Sequence, residues 1–170
     1  MGILIADRHF GYWLSLAAVS VLLLSVALFY QYVLDEPPCV VCIHVRIGVA
    51  TLLLLSLAGL VLHRWRAGRV SLHLAIALVA GVMLERAWEL FGTERGFIIG
   101  SCDFDLGLPA WLALDRWLPA VFEVQAACGY TPVLFFGVTM AEALLVLFAL
   151  LVLLSGLLLV TGILYPGEVR

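Results

Sequence analysis

The sequence predicts an all-α membrane protein. It reads as a four-transmembrane-helix bundle with two loops on one face, the second carrying a short membrane-parallel amphipathic helix. Three observations predict it. The 170 residues are 65% hydrophobic and 12% charged, with a mean hydropathy of +1.16. Soluble domains carry about 45–50% apolar and about 25% charged residues. The apolar residues also fall in runs long enough to cross a hydrocarbon core of about 30 Å, which takes roughly 20 helical residues. Between the runs stand prolines, one basic turn and one long polar stretch, so a single membrane domain over 1–170 is the natural organisation.

Each element follows in order. Phe10 to Leu34 carries no charge and predicts helix 10–34. It exceeds the apolar region of a cleaved signal peptide, which is about 7–15 residues, so it is expected to be retained. Asp35, Glu36, Pro37 and Pro38 end it, because proline cannot continue a helix without losing hydrogen bonds. A second helix is expected over 42–62 and a third over 70–90, separated by the basic turn His63 to Arg69. The fourth is expected over 140–164, ending before Pro166. Loops 35–41 and 91–139 remain.

The arginines orient the bundle. The turn after the second helix holds Arg64, Arg66 and Arg69 without an acid, whereas both loops carry several acids. Basic residues favour the cytoplasmic side. Both termini are therefore expected in the cytoplasm, and all four cysteines on the outer, oxidising face. Within the long loop, Pro109 to Phe122 is amphipathic, with Trp111 and Trp117 among its apolar residues. Proline suits a helix start, and tryptophans anchor such helices flat on a bilayer. An ordinary packed loop helix is the alternative. The net charge of -3 says little about partners, and no basic cluster suggests nucleic acid.

The chemistry concentrates at Pro37-Pro38-Cys39-Val40-Val41-Cys42-Ile43-His44-Val45-Arg46. A Cys-x-x-Cys pair is a redox or metal device. Ile43 after Cys42 excludes the haem-attachment motif. Cys102 and Cys128 lie too far apart to form the second knuckle of a four-cysteine zinc site. Metal is not expected. Cys42 near a helix start has the helix dipole in its favour as a thiolate, and Arg46 follows one turn later. On this reading Cys42 faces the membrane and Cys39 is the more exposed partner. Arg46 would hold a polar head group and the thiolate; the plainer reading is an interfacial arginine reaching for phosphates. Two bracing disulfides are the structural alternative. A ring closed by Cys39 and Cys42 restrains little chain, however, and so braces little.

Cys39-Val40-Val41-Cys42-Ile43 with Arg46, Cys102-Asp103-Phe104, Pro109 to Pro119, Val121-Phe122 and Cys128 together resemble the DsbB family of disulfide-bond formation proteins. The match runs from the first helix into the fourth. Where that family often has an acid before the arginine, this chain has Val45, preceded by His44. The resemblance implies a thiol oxidoreductase of the bacterial inner membrane. It would reoxidise a periplasmic DsbA-like dithiol oxidase of the thioredoxin fold and pass the electrons to membrane quinone, ubiquinone or menaquinone. It also implies residue roles. Cys102 would be attacked by the partner's thiolate, and Cys128 would be its loop partner. Cys39 would exchange with that pair. Cys42 would face the quinone, and Arg46 would bind near a quinone carbonyl. DsbA is itself a strong oxidant, at about −120 mV, so a quinone acceptor makes energetic sense. A dedicated paralogue serving one thiol partner and a disulfide-braced membrane scaffold are the competing readings.

Among the remaining residues, Arg86 and Glu89 are expected to pair within the third helix. His44, His63 and His73 are expected at membrane interfaces, with proton delivery to a quinol as a second role for His44. Glu142 is expected to face water or headgroups.

Overall fold

A computed structural model describes residues 2–99, 106–126, 133–134 and 137–164. Cys102, Cys128 and the chain immediately around them lie outside the described residues. Among those described, the elements are α1 (Gly2–Val33), α2 (Val40–Leu62), α3 (Arg66–Glu94), a 3-10 turn (Ala110–Leu112), α4 (Leu114–Trp117), α5 (Pro119–Phe122) and α6 (Met140–Leu164). Four stretches are long and apolar enough to cross a membrane: Phe10–Val33, Val40–Leu62, Arg66–Glu94 and Met140–Leu164. The protein is thus an all-α, multi-pass membrane protein.

The helix ends follow from local chemistry. After α1, Asp35 takes φ of 52°, a left-handed conformation that few residues other than glycine, asparagine and aspartate tolerate. Glu36 N–H then bonds back to the Tyr30 carbonyl at 3.0 Å, and Pro37 and Pro38 follow. Helix α2 begins at Val40 rather than at Cys42, because the Cys39 sulfur acts as its cap and accepts from Cys42 N–H at 3.3 Å. Helix α3 begins at Arg66 rather than residue 70, since the turn needs only a few residues. Arg69 donates to the His63 carbonyl at 3.0 Å across that turn. At the same end Arg66 donates to the Ile163 carbonyl at 3.3 Å, meeting the last turn of α6, where the helix dipole favours a cation.

Helix α1 packs on α2, α2 on α3, and α3 on α6. Two glycines permit close approach. A Cβ on Gly48 would stand 2.0 Å from the Met83 sulfur, and one on Gly59 would stand 2.2 Å from the Trp13 ring. Small residues at such crossings are how membrane helices gain contact where no water drives them together. Trp13, Val49, Leu52, Ile76, Met83 and Phe148 fill the middle of the bundle. Outward-facing Leu22, Leu54, Leu78, Leu153 and Leu157 are each more than 60% exposed. Such a broad apolar surface is stable in lipid rather than water.

The amphipathic stretch is not one helix. It breaks into the 3-10 turn, α4 and α5, with Ala113 and Leu118 outside helical geometry. Leu118 precedes Pro119, whose ring disfavours the helical conformation in the residue before it. Trp111 and Trp117 stay exposed, while Phe122 turns inward and is buried.

Candidate functional site

At the cysteine end of the bundle, a second core cluster gathers Cys39, Val40, Val41, Ile43, Leu90, Leu106, Phe122 and Ala141. The Cys39 and Cys42 sulfurs lie 2.7 Å apart, placed to close a disulfide with one another when oxidised. Cys42 occupies the third position of α2, where the helix dipole favours negative charge.

The exposure of the two cysteines is the reverse of the sequence expectation. Cys39 is only 2% exposed, whereas Cys42 is partly exposed. A strap of chain from far along the sequence covers Cys39. Gln125 and Ala126 N–H groups both donate to the Pro38 carbonyl, at 2.9 and 3.2 Å, and Ala126 pairs with Cys39 as an isolated parallel bridge. Cys39 therefore sits under the strap that leads on to Cys128, and Cys42 stands one turn deeper.

Arg46 lies six residues into α2, roughly 9 Å along its axis at 1.5 Å per residue. It is only 6% exposed. Its Nη1 donates to Gln31 Oε1 at 2.5 Å and to the Val121 carbonyl at 2.9 Å, and its Nη2 donates to the Ala27 carbonyl at 3.0 Å. Among the described residues the ion pairs are Arg86–Glu89 and Arg95–Glu142, so no carboxylate there neutralises Arg46. A guanidinium carries five N–H donors. Three are used, leaving one on Nη2 and the Nε–H.

Cys39, Cys42 and Arg46 border one cavity of about 400 Å³. Leu23, Leu24, Val26 and Ala27 of α1 form one wall, and Ala143, Leu144 and Leu147 of α6 form the other. Pro37, Pro38 and Ala126 line it at the cysteine end. Ligand sites commonly measure roughly 300–1,000 Å³ and combine apolar walls with a few polar groups. A quinone head group, a flat ring with carbonyl acceptors on an apolar tail, fits this donor set. Two sulfurs and a guanidinium with spare donors stand at one end, and hydrocarbon walls lead away from them. Gln31 and the Gln125–Ala126 strap were not singled out from the sequence. A glutamine within the charge-free apolar run from Phe10 to Leu34 was the available signal for the first.

Other expected residues are placed as follows. Arg86 pairs with Glu89 at 2.8 Å. His44 Nε2 meets the Leu106 carbonyl at 2.9 Å and so faces the loop. His63 Nδ1 lies 2.9 Å from the Leu60 carbonyl. His73 packs inside the bundle. It is 6% exposed and stacked on Trp13 at 5.0 Å, because the aromatic pair Tyr12–Trp13 encloses it. Glu142 does not simply face water. It exchanges backbone contacts with Thr139 in a capping box at the start of α6 and pairs with Arg95.

Fold and site together define a multi-pass membrane protein with a dithiol and a buried arginine at one end of an apolar cavity. A model of the family described as Disulfide bond formation protein DsbB matches residues 8–158. Disulfide bond formation protein B 2 of Pseudomonas aeruginosa is 33% identical over 141 residues, covering 81% of this chain and 82% of that protein. Disulfide bond formation protein B of Shewanella sp. (strain MR-4) is 35% identical over 138 residues, covering 81% and 79%. That of Yersinia pestis (strain Pestoides F) is 33% identical over 154 residues, covering 84% and 81%. The chain belongs to the DsbB family.

Proposed function

We propose that this protein is a quinone-dependent protein-dithiol oxidase of the bacterial inner membrane. It reoxidises a periplasmic DsbA-like partner and sustains disulfide-bond formation. Both termini and the arginine turn lie in the cytoplasm, and the cysteines lie in the periplasm. The observation that carries the reading is the apolar cavity bordered at one end by Cys39, Cys42 and Arg46.

The residues divide the work. Cys102 and Cys128, carried over from the family pattern, form the loop pair that takes two electrons from the partner dithiol and releases the partner as a disulfide. The loop dithiol then reduces the Cys39–Cys42 disulfide. Thiol exchange needs a thiolate, access and a leaving thiol. Ala126 pairs with Cys39, and Cys128 follows Ala126 by two residues in the sequence. Cys42 stands at the helix start, where the helix dipole favours a thiolate, one turn from the buried Arg46. A quinone held there would supply the two-electron acceptor chemistry, the dithiol giving up two electrons and two protons as it closes to the disulfide. Arg46 would hold a quinone carbonyl with its remaining donors, and α1 and α6 supply the apolar walls for the ring.

The test is anaerobic mixing of the purified protein with ubiquinone and a reduced DsbA-like dithiol, followed by quinone absorbance. Partner-dependent loss of oxidised quinone, abolished by Cys42→Ser, is expected. If neither ubiquinone nor menaquinone is reduced, the proposal fails.

A further inference from the structure

Gln31 occupies an unusual position. It lies near the outer end of α1, is only 6% exposed, and touches two functional segments at once. Its Oε1 accepts from Arg46 Nη1 at 2.5 Å, and its Nε2 donates to Gln125 Oε1 at 3.4 Å. The direction of this chain is forced. A guanidinium can only donate, so the Gln31 oxygen must face Arg46. The Gln31 amide nitrogen must then face Gln125, and Gln125 must present its oxygen. Gln125 is the residue whose backbone N–H, with that of Ala126, ties the strap to Pro38 beside Cys39.

Two further contacts hold α5, the short helix that leads into the strap. Arg46 donates to the Val121 carbonyl at 2.9 Å, and Tyr32, next to Gln31, donates to the Ala120 carbonyl at 2.5 Å. The chain from α5 to the strap is thus fastened to α1 and α2, α5 by Tyr32 and Arg46 and the strap by Gln31. With no carboxylate beside it among the described residues, Arg46 is oriented by a neutral side chain and two backbone carbonyls. A neutral partner fixes the guanidinium without cancelling its charge.

We propose that Gln31 is a positioning residue that aims Arg46 into the cavity and, through Gln125, locks the strap over Cys39. Its side chain thereby links the quinone-facing cation to the chain leading to Cys128. This rests on the proposed dithiol-to-quinone reaction. Gln31 itself touches no reacting atom. An apolar residue here leaves Arg46 a donor short of its partner and frees the guanidinium to turn. Gln125→Leu loosens the strap while leaving the Arg46–Gln31 contact intact.

The test compares Gln31→Leu, Gln125→Leu and wild type as full-length proteins in detergent. Three readouts are taken: quinone KM and kcat with a reduced dithiol partner, ubiquinone affinity by fluorescence titration without partner, and hydrogen exchange at residues 124–126 in quinone-free protein. Gln31→Leu is expected to weaken quinone affinity and lower kcat/KM for quinone about tenfold or more, with KM for the dithiol partner unchanged, since it removes a hydrogen bond to a charged group. Exchange at 124–126 rises in both variants, whereas quinone affinity falls only in Gln31→Leu. A merely structural glutamine would not split the quinone and partner constants in this way. Normal quinone affinity and kinetics in Gln31→Leu, with wild type active, overturn the inference alone. An inactive wild type overturns the underlying reaction instead.

Discussion

Replacing Arg46 with methionine removes the buried cation and keeps most of the side chain's volume. The structural loss is three hydrogen bonds, to Gln31, Val121 and Ala27. The Ala27 carbonyl lies inside α1, where the helical ladder already supplies a donor. Losing a buried charge also removes its desolvation penalty, and replacing buried charges by apolar groups is often neutral or stabilising. Stability should therefore change by no more than about 1–2 kcal/mol, the size of one or two net hydrogen bonds. Function should change more. A hydrogen bond from a charged group contributes about 1.5–3 kcal/mol. Lost from the quinone complex, that is roughly a ten- to hundredfold drop in kcat/KM for quinone, at 1.36 kcal/mol per factor of ten. Arg46→Lys should fall between, since one ammonium cannot match a planar fork serving three acceptors in different directions. The assay is quinone kinetics with a reduced dithiol partner, alongside thermal unfolding in detergent. Unchanged quinone KM and kcat in Arg46→Met would refute the role given to this residue.

Three further outcomes are expected. Ala143→Trp narrows the cavity between α1 and α6, and should raise quinone KM while leaving exchange between the partner and the loop cysteines unchanged, as followed by thiol trapping. Gly48→Leu drives a side chain into Met83 and should destabilise the bundle by about 1–3 kcal/mol in thermal unfolding, the usual cost of overpacking, with partial relief from Met83→Ala. Thr139→Ala removes the cap of α6 and should cost about 1 kcal/mol by the same measure, with no effect on quinone affinity.

Much of the fold could be read from the chain because lipid imposes a simple rule: long uncharged runs become helices. Phe10–Val33 follows it with no charge at all, and Met140–Leu164 with Glu142 alone at its start. The proximity of Cys39, Cys42 and Arg46 was legible too, because all three lie within two turns at the start of one helix. What covers them was not. The burial of Cys39 depends on Gln125 and Ala126, more than eighty residues away, and no local pattern encodes that contact. The capping role of the Cys39 sulfur moved the start of α2 for a similar reason, since cysteine is not among the usual cap residues. The break at Leu118–Pro119 was a local signal that amphipathicity concealed. His73 was hidden differently: stacking on Trp13 buries a side chain whose sequence position suggested an interface.

The central claim is that the Cys39–Cys42 dithiol itself delivers electrons to quinone. The most direct measurement is a single turnover of the Cys102→Ser/Cys128→Ser variant, fully reduced, freed of reductant and mixed with ubiquinone or menaquinone under argon. The account predicts one quinone reduced and two thiols lost per protein, with no partner present. Thiols that stay reduced beside both quinones, although wild type turns over, would contradict it and place the electron exit elsewhere.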